Sequence, residues 1–230
     1  MLPFLPDATP KPVGVESLPE ICKTLCMEEV LQSKRLILRL LRIEDAEGFV
    51  RLLAEDREAI LMMSRMPYPC TEAAAREWIA MRTRPGATAF AVTRRDDGAL
   101  LGAIEFAGLP EMPSVGYWIA RPSWGQGYAT EALRLVIEYV REIGAKGLLA
   151  ETFPDNPASA RVLAKCGFRD RGIVRRDHPA RGGLTHVHVH VLHFATQDGL
   201  GGRDRPDPGE NEGPGASRLS ALPDIQQDVP

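Results

Sequence analysis

The sequence predicts a mixed α/β fold, as a single α+β domain built on a mixed sheet. Some strand-like runs follow one another directly and are joined by turn signals, whereas others are separated by helix-like segments. Strands joined by tight turns pair antiparallel, and strands joined through a helix favour parallel pairing. Both connections occur in this chain, so we expect one sheet that contains both arrangements.

The first half of the fold begins with a strand over RLILRLL (35–41), where apolar and polar residues alternate. The segment 43–55 spaces its apolar residues as an amphipathic helix does. A second helix is predicted at 71–81, beginning at a threonine that suits an N-cap. Strands are then predicted at 87–93, 99–107 and 114–120. Pro122 ends the last of them because proline has no amide hydrogen to donate to a sheet.

The second half contains the clearest helix of the chain. Apolar residues recur at i, i+3, i+4 and i+7 between Ala129 and Val140, and Gly144 follows where a helix end favours glycine. The remaining predictions are a strand at 147–153, a helix that Asn156 caps and Gly167 ends, and strands at 168–176 and 184–194.

The two ends of the chain differ from its middle. Residues 1–30 carry two lysines against five acids, and residues 198–230 carry three arginines against seven acids with six glycines and five prolines. We expect the first arm to be partly disordered, with a short helix at 16–30, and the second to be disordered, because neither buries enough apolar surface to offset chain entropy. The predicted domain is 31–197, with a net charge of +4 against −3 for the whole chain.

Several classes of protein are excluded by composition. A mildly basic domain suits a small polyanionic ligand, but it lacks the lysine and arginine stripe of a nucleic-acid binder. The chain contains no run of about 18 apolar residues, which a membrane-spanning helix would need. The first residues do not resemble a secretion signal. Four scattered cysteines form neither a disulfide framework nor a metal-ligand pattern. We therefore expect a cytoplasmic protein without nucleic-acid, membrane or metal partners, for which a homodimer is compatible with the sequence.

The run GYWIARPSWGQGYATEAL (116–133) carries the chemistry. It predicts a strand, a proline break, a glycine-rich turn and a helix. Gly125 and Gly127 permit a tight turn, and successive amides at the helix start would point at one anion. The Gly-Lys-Ser/Thr of a nucleotide-binding P-loop is missing, and the glycine spacing does not fit a dinucleotide fold. The run therefore predicts an anion cradle, with an ordinary tight loop as the alternative.

Together with AETFPDNPASARVLAKCGF (150–168), this run resembles the two central motifs of the GNAT acyltransferase superfamily. It most resembles the RimJ/RimL-like branch, which acts on ribosomal-protein N-termini, and 33–53 is similar to the first strand and helix of that branch. The resemblance covers about 30–197. It implies the GNAT fold, a central mixed, mostly antiparallel sheet with splayed middle strands flanked by helices. It also implies acetyl transfer from acetyl-CoA directly to an amine acceptor, either a protein N-terminus or a small molecule.

The resemblance assigns acetyl-CoA to a defined set of residues. The pyrophosphate would contact the amides of the glycine-rich turn, and the pantetheine arm would follow the preceding strand. Asn156 would lie near the pantetheine, in addition to its role as a helix cap. The assigned residues are Trp118, Ile119, Ala120, Gly125, Gln126, Gly127, Tyr128, Ala129, Thr130 and Asn156.

The groups that move protons depart from the family pattern. Many family members place a tyrosine acid where this chain has Leu163, and Ser159, one turn earlier, is the candidate replacement, with a small packing residue as the alternative. The glutamate base common in the branch is replaced by Ser114. Glu105 is the candidate base and Glu151 a second one, and either is also interpretable as a solvated strand residue.

A row of histidines, His186, His188 and His190, shares one face of the last strand, with valines on the other. We interpret this face as exposed or as an interface, with metal binding and catalysis as alternatives. Cys166 is interpreted as a packing residue. A non-catalytic acyl-CoA sensor is the alternative function from another class, and a nucleotide-binding protein is a third.

Overall fold

The computed structural model describes residues 30–63, 66–178 and 181–195. Its strands are β1 (Val30–Gln32), β2 (Leu36–Leu40), β3 (Ala87–Arg94), β4 (Leu100–Ala107), β5 (Ser114–Ile119), β6 (Gly147–Thr152), β7 (Arg169–His178) and β8 (Gly183–His193). Its α-helices are α1 (Ala46–Leu53), α2 (Arg57–Leu61), α3 (Glu72–Arg82), α4 (Tyr128–Glu142) and α5 (Pro157–Lys165).

All of these strands form one sheet in the order β1-β2-β3-β4-β5-β6-β8-β7. Neighbouring strands are antiparallel except β5 and β6, which are parallel and share one register pair, Ser114 with Leu149. Beyond that pair the two strands diverge, and among the described residues β5 has no strand partner on that side. The predicted mixed, mostly antiparallel sheet with splayed middle strands is confirmed.

Helices cover both faces of the sheet. The α4–α5 face, defined as the side on which those two helices pack, buries a cluster that includes Phe90, Ile104 and Leu148. The α1–α3 face, on the opposite side, buries a second cluster around Phe49 and Trp78. The period-2 alternation of the strands therefore sorts each side chain onto one face or the other.

Helix ends form where the sequence predicts them. The Thr71 hydroxyl accepts a hydrogen bond from the amide of Ala74 at 3.2 Å and caps α3. The Asn156 carbonyl oxygen accepts one from the amide of Ser159 at 3.1 Å and caps α5. Gly144 has φ of +94° just beyond α4, a conformation that favours glycine. The caps therefore fix where α3 and α5 begin, and Gly144 fixes where α4 ends.

Two short elements, β1 and α2, are not predicted by the sequence. Val30 opens β1 instead of ending a helix, and the rest of the helix predicted at 16–30 lies outside the described residues, as does the tail 198–230. Elements of three and five residues carry too few apolar repeats to stand out from the surrounding chain.

The interpretation of the histidine face as exposed is wrong for one of its members. His190 is only 5% exposed, because β8 lies inside the sheet and His190 is paired with Ala150 on the α4–α5 face. Its Nε2 lies 2.9 Å from Oγ1 of Thr152. His188 instead contacts Asp170, with Nδ1 2.8 Å from the carboxylate. Within the described ranges, no cluster of three metal-ligating side chains occurs, and no helix is long and apolar enough to cross a membrane.

Candidate active site

The loop between β5 and α4 has the geometry of an anion cradle. Pro122 lies in a short 3-10 turn directly after β5, and the chain then passes through Gly125 and Gly127, with φ of +74° and +81°. Gly127 is the N-cap of α4 and has no side chain to accept from the first helical amides. The amides of the first turn, from Tyr128 to Thr130, have no partner within the helix and remain for an outside acceptor.

Arg35, at the start of β2, holds this loop in place, which sequence reasoning missed. Its Nη1 donates to the Gln126 carbonyl at 2.9 Å, and its Nε donates to Glu131 at 2.7 Å. The guanidinium also lies 4.7 Å from the centre of the Tyr128 ring. Partial burial opposes ionisation of Glu131, but hydrogen bonds from Ser33 and Arg35 outweigh it and lower the pKa of this carboxyl. The guanidinium thus offsets a negative charge that would otherwise repel an anion.

Hydrogen bonds at the end of β5 determine which of its backbone groups face the gap between the diverging strands β5 and β6, which we call the splay. The amide of Ala120 donates to the Leu101 carbonyl at 2.8 Å, and its carbonyl accepts from Ser123 at 2.8 Å. The amide of Ala120 is therefore already paired within the protein, whereas its carbonyl keeps a second lone pair. Backbone groups of a strand alternate in direction, so the amide of Ile119 points away from β4 into the open side. The carbonyl of Ile119 accepts from the Trp124 indole.

The candidate acid lies on the α4–α5 face. Ser159 is in the first turn of α5, and its Oγ lies 2.9 Å from the hydroxyl of Tyr117 on β5. Burial raises the pKa of Tyr117 well above its usual value, although the hydrogen bond with Ser159 opposes this shift. Leu163, at the position of the usual family tyrosine, is fully buried in the core. The structure thus brings a tyrosine to α5 from a strand instead of from the helix itself.

The candidate base lies on the other side of the sheet. Glu105 on β4 is paired with Gly116 on β5, and its carboxylate lies over that glycine, where a Cβ would meet Oε1 at 3.5 Å. The other carboxylate oxygen is 2.6 Å from Nε of Arg82, whose guanidinium lies 3.9 Å from the centre of the Trp78 ring. Glu105 is therefore beside the splay, on the α1–α3 face, and is held by an arginine.

Glu151 occupies the equivalent place on β6. It projects opposite to the buried Ala150, and so onto the α1–α3 face, and it is paired with Arg176 at 2.9 Å. Because Ser114 is in register with Leu149, Glu105 and Glu151 lie on either side of the splay at about the same level. Neither contacts Ser159, since the acid and the carboxylates lie on opposite faces.

Cys166, the C-cap residue just after α5, does not have the character of a nucleophile. Burial raises the pKa of the Cys166 thiol, and its sulfur lies 3.8 Å from the Thr130 carbonyl. A buried thiol that stays protonated packs as a small apolar group. This agrees with its interpretation as a packing residue.

These observations together fit acyl-CoA. The cradle offers amides and glycines to a pyrophosphate, the divergence of β5 and β6 leaves one strand edge open to an extended amide-containing arm, and hydroxyl and carboxylate groups lie on either side of that opening. The family model described as "Acetyltransferase (GNAT) domain" matches residues 35–169.

Known proteins resemble the chain in sequence and in fold. It is 28% identical over 156 residues to an uncharacterized N-acetyltransferase, YoaA, of Bacillus subtilis (strain 168), which covers 65% of this chain and 88% of that protein. It is 31% identical over 99 residues, 43% of this chain and 32% of the relative, to the FsC-acetyl coenzyme A-N(2)-transacetylase of Aspergillus fumigatus.

Among solved structures, the ribosomal L7/L12 alpha-N-protein acetyltransferase RimL in complex with coenzyme A superposes with a TM-score of 0.65 and 18% identity. The match covers 72% of this chain and 98% of that one, and at this identity it shows the fold. The family model spans more than half of the chain and includes both the cradle and α5. This chain is a member of the GNAT family of acetyltransferases, enzymes that use acetyl-CoA as the acetyl donor.

Proposed function

We propose that this enzyme belongs to the RimJ/RimL-like branch and acetylates a free α-amine at the N-terminus of a peptide or protein. The observation that carries the proposal is the state of the two candidate bases, since Glu105 and Glu151 are each bound to an arginine. Each carboxylate therefore has to share its oxygens between a guanidinium and an incoming amine. Such a site suits an amine that loses its proton readily.

The two common classes of protein amine differ strongly in this respect. An α-amine has a pKa of about 7.7–8.0, whereas a lysine amine has about 10.4. Deprotonation at pH 7 therefore costs about 1 kcal/mol for the first and about 4.6 kcal/mol for the second. The α-amine therefore needs far less help from the site to lose its proton.

The proposed roles follow from where the groups lie. Acetyl-CoA supplies a thioester carbonyl for the amine to attack, with the CoA thiol as the leaving group. The amide of Ile119 donates to the carbonyl oxygen as negative charge develops there. Glu105 accepts the amine proton from the α1–α3 face, directly or through one water molecule. Ser159 donates to the sulfur from the α4–α5 face.

A small-molecule amine is the second candidate acceptor, because one relative is named as an FsC transacetylase. That similarity covers less than half of this chain and a third of the relative. It therefore supports the shared acetyl-CoA chemistry more than a shared acceptor.

The first prediction concerns the acceptor. The full chain should release CoA thiol from acetyl-CoA in the presence of peptides with a free N-terminus and no lysine, and mass spectrometry should place the acetyl group on the α-amine. Matched peptides with a blocked N-terminus and one internal lysine should react at least about a hundredfold more slowly, given the difference in deprotonation cost.

Three outcomes would contradict the proposal. Equal turnover of the lysine peptides would exclude selection by amine pKa. Turnover of spermidine or an aminoglycoside without turnover of any peptide would favour a small-molecule acceptor. Tight binding of CoA without turnover of any amine would indicate a non-catalytic sensor.

A further inference from the structure

Two hydroxyl groups from separate elements meet beside the splay. The Tyr117 hydroxyl lies 2.9 Å from Oγ of Ser159 and 3.3 Å from the carbonyl oxygen of the same residue. Tyr117 is three residues beyond Ser114, the last point at which β5 contacts β6. The Ser159 backbone is fixed by its amide hydrogen bond to Asn156. The hydroxyl pair is therefore held from β5, from α5 and from the cap of α5.

The two hydroxyl groups carry one hydrogen more than the hydrogen bond between them uses. Two hydroxyls carry two hydrogens, and one of them is used between the two oxygens. When Tyr117 donates its hydrogen along the shorter contact to Oγ, its 3.3 Å contact with the Ser159 carbonyl is not used, and the Ser159 hydrogen is available to another acceptor. A hydrogen bond to an ionised acceptor is about twice as strong as one between neutral groups, and a sulfur that gains negative charge is such an acceptor.

The phenol is suited to remain a donor. It is partly buried and packs against the core of the α4–α5 face. Burial raises the pKa of Tyr117, so the hydroxyl keeps its hydrogen throughout the pH range in which an acetyltransferase works. The role of Tyr117 is inferred from its short contact with Ser159. Because burial keeps the phenol protonated, that contact should not change with pH.

We propose that Tyr117 is a positioning residue that orients Ser159 toward the sulfur of CoA. The Tyr117 O–H donates to Oγ of Ser159, and the Ser159 O–H then donates to the sulfur. As the amine nitrogen forms its bond to the carbonyl carbon, the carbon–sulfur bond breaks and its electron pair passes to the sulfur. The amine proton passes to Glu105, and CoA leaves as a thiolate that accepts the Ser159 hydrogen bond. Glu105 then gives its proton to solvent and the released thiolate takes one up, so the transfer balances without a further reactant. The inference rests on the proposed function, because it takes acetyl transfer as the reaction.

This arrangement gives a physical reason for the leucine on α5. A tyrosine at position 163 would enter a site where Leu163 is fully buried. The hydroxyl that the helix lacks is supplied by β5, through a residue next to the strand segment that faces the splay.

The test that needs no acceptor is a titration of bound CoA. Stabilisation of the thiolate by Ser159 lowers the pKa of the bound thiol, which ultraviolet absorbance of the thiolate follows directly. We expect the Tyr117→Phe and Ser159→Ala variants to bind CoA with a thiol pKa about one unit higher than wild type, a tenfold weaker stabilisation. Tyr139→Phe is the matched control, because it removes a hydroxyl from a ring that packs against Phe90 and Phe106 in the same cluster. It should leave the titration unchanged.

Kinetics on the best acceptor provide the second readout. Tyr117→Phe should lower kcat by about ten- to a hundredfold, the range for one lost hydrogen bond to a developing charge, and should change the KM for acetyl-CoA by less than about threefold. In a Ser159→Ala background, Tyr117→Phe should have no further effect, because its action passes through Ser159.

The outcomes separate this inference from the function on which it rests. A wild-type titration curve for Tyr117→Phe, or a loss of kcat that adds fully to that of Ser159→Ala, would overturn the role of Tyr117. Absence of amine turnover by the wild type would instead contradict the proposed function, while the CoA titration would still decide the hydroxyl pair. Replacement of Tyr117 by 3-fluorotyrosine, which keeps the ring and strengthens the donor, should lower the bound thiol pKa further; no change would also count against the proposal.

Discussion

At the scale of single residues, the candidate base Glu105 is held in an ion pair that the sequence does not reveal. The Glu105 side chain is 26% exposed, and its carboxylate is paired with Arg82 and lies over Gly116 of β5. Arg82 is in turn stacked on Trp78 and is only 11% exposed. The carboxylate is thus held at one position beside the splay, which favours a well-defined geometry.

This leads to a prediction for Glu105→Gln. The variant should lose about a hundredfold in kcat/KM at pH 7, the usual size of general-base catalysis. The loss should shrink at pH 9, where an α-amine is already unprotonated. Glu151→Gln is the matched variant on the other side of the splay and should have a much smaller effect. A pH-independent loss in Glu105→Gln would indicate a structural role, and a larger loss in Glu151→Gln would exchange the two roles.

At the scale of elements, the cradle depends on the junction of a strand, a turn and a helix. A residue with a Cβ is strained at Gly127, where φ is +81°, and its Cβ would lie 3.6 Å from Nη2 of Arg35. Arg35 closes the same junction from β2, although it is 96 positions from Glu131 in the chain. The loop is therefore shaped by glycine locally and fastened by a distant arginine.

We predict that Gly127→Val abolishes the stabilisation of the chain by CoA. The matched control is Gly98→Val in the β3–β4 turn, where φ is +70° and a Cβ meets nothing within 4 Å. Both variants should lower the melting temperature of the free protein, because both force a β-branched residue into the left-handed region. Only Gly98→Val should retain the rise in melting temperature with CoA. If Gly127→Val retains it too, the anion site lies elsewhere.

At the scale of the whole molecule, buried titratable groups link stability to pH. Burial lowers the pKa of His190, although the charge of Asp170 opposes the shift and that of His188 adds to it. Its folded pKa therefore lies below the unfolded value of 6.5. As pH falls through 6.5, the unfolded chain binds this proton first, so the free energy of unfolding decreases. Carboxylates such as Asp45, whose hydrogen bonds with Arg39 and the Arg42 backbone outweigh burial and lower its pKa, lose their contribution only below pH 3.8.

The resulting prediction is a loss of thermal stability between pH 7 and pH 5 that depends on His190. Each unit by which the pKa is lowered corresponds to about 1.4 kcal/mol. Melting temperatures at pH 5, 6, 7 and 8 should fall less steeply toward acid in His190→Gln than in the wild type. His186→Gln, on an exposed position of the same strand, is the control and should follow the wild type. Parallel curves for His190→Gln and wild type would exclude this residue as the source.

The fold was predictable to the extent that local signals define it. Alternation places β3, β4 and β5, and caps at Thr71 and Asn156 place two helices. These signals depend on a few neighbouring residues, so they can be recognised in a single sequence. The short β1 and α2, and the burial of His190, depend instead on which strands become neighbours.

The candidate site also has a part that local sequence predicts and a part that depends on distant residues. Gly125 and Gly127 identify the cradle because a positive φ demands glycine wherever the chain turns in this manner. The pairs that decide the chemistry join residues far apart in the chain, such as Tyr117 with Ser159 and Arg82 with Glu105. Residue types alone do not predict such pairs, because many arginines and hydroxyls are equally available.

By itself the sequence determined the class of fold, the order of most elements and the position of the cradle, since hydrophobic period, capping and glycine conformation are local properties. The tertiary structure alone decided which backbone groups of β5 are paired, on which face each candidate acid or base lies and which partner each one has. Those properties follow from strand order and register, which bring together residues separated by tens of positions.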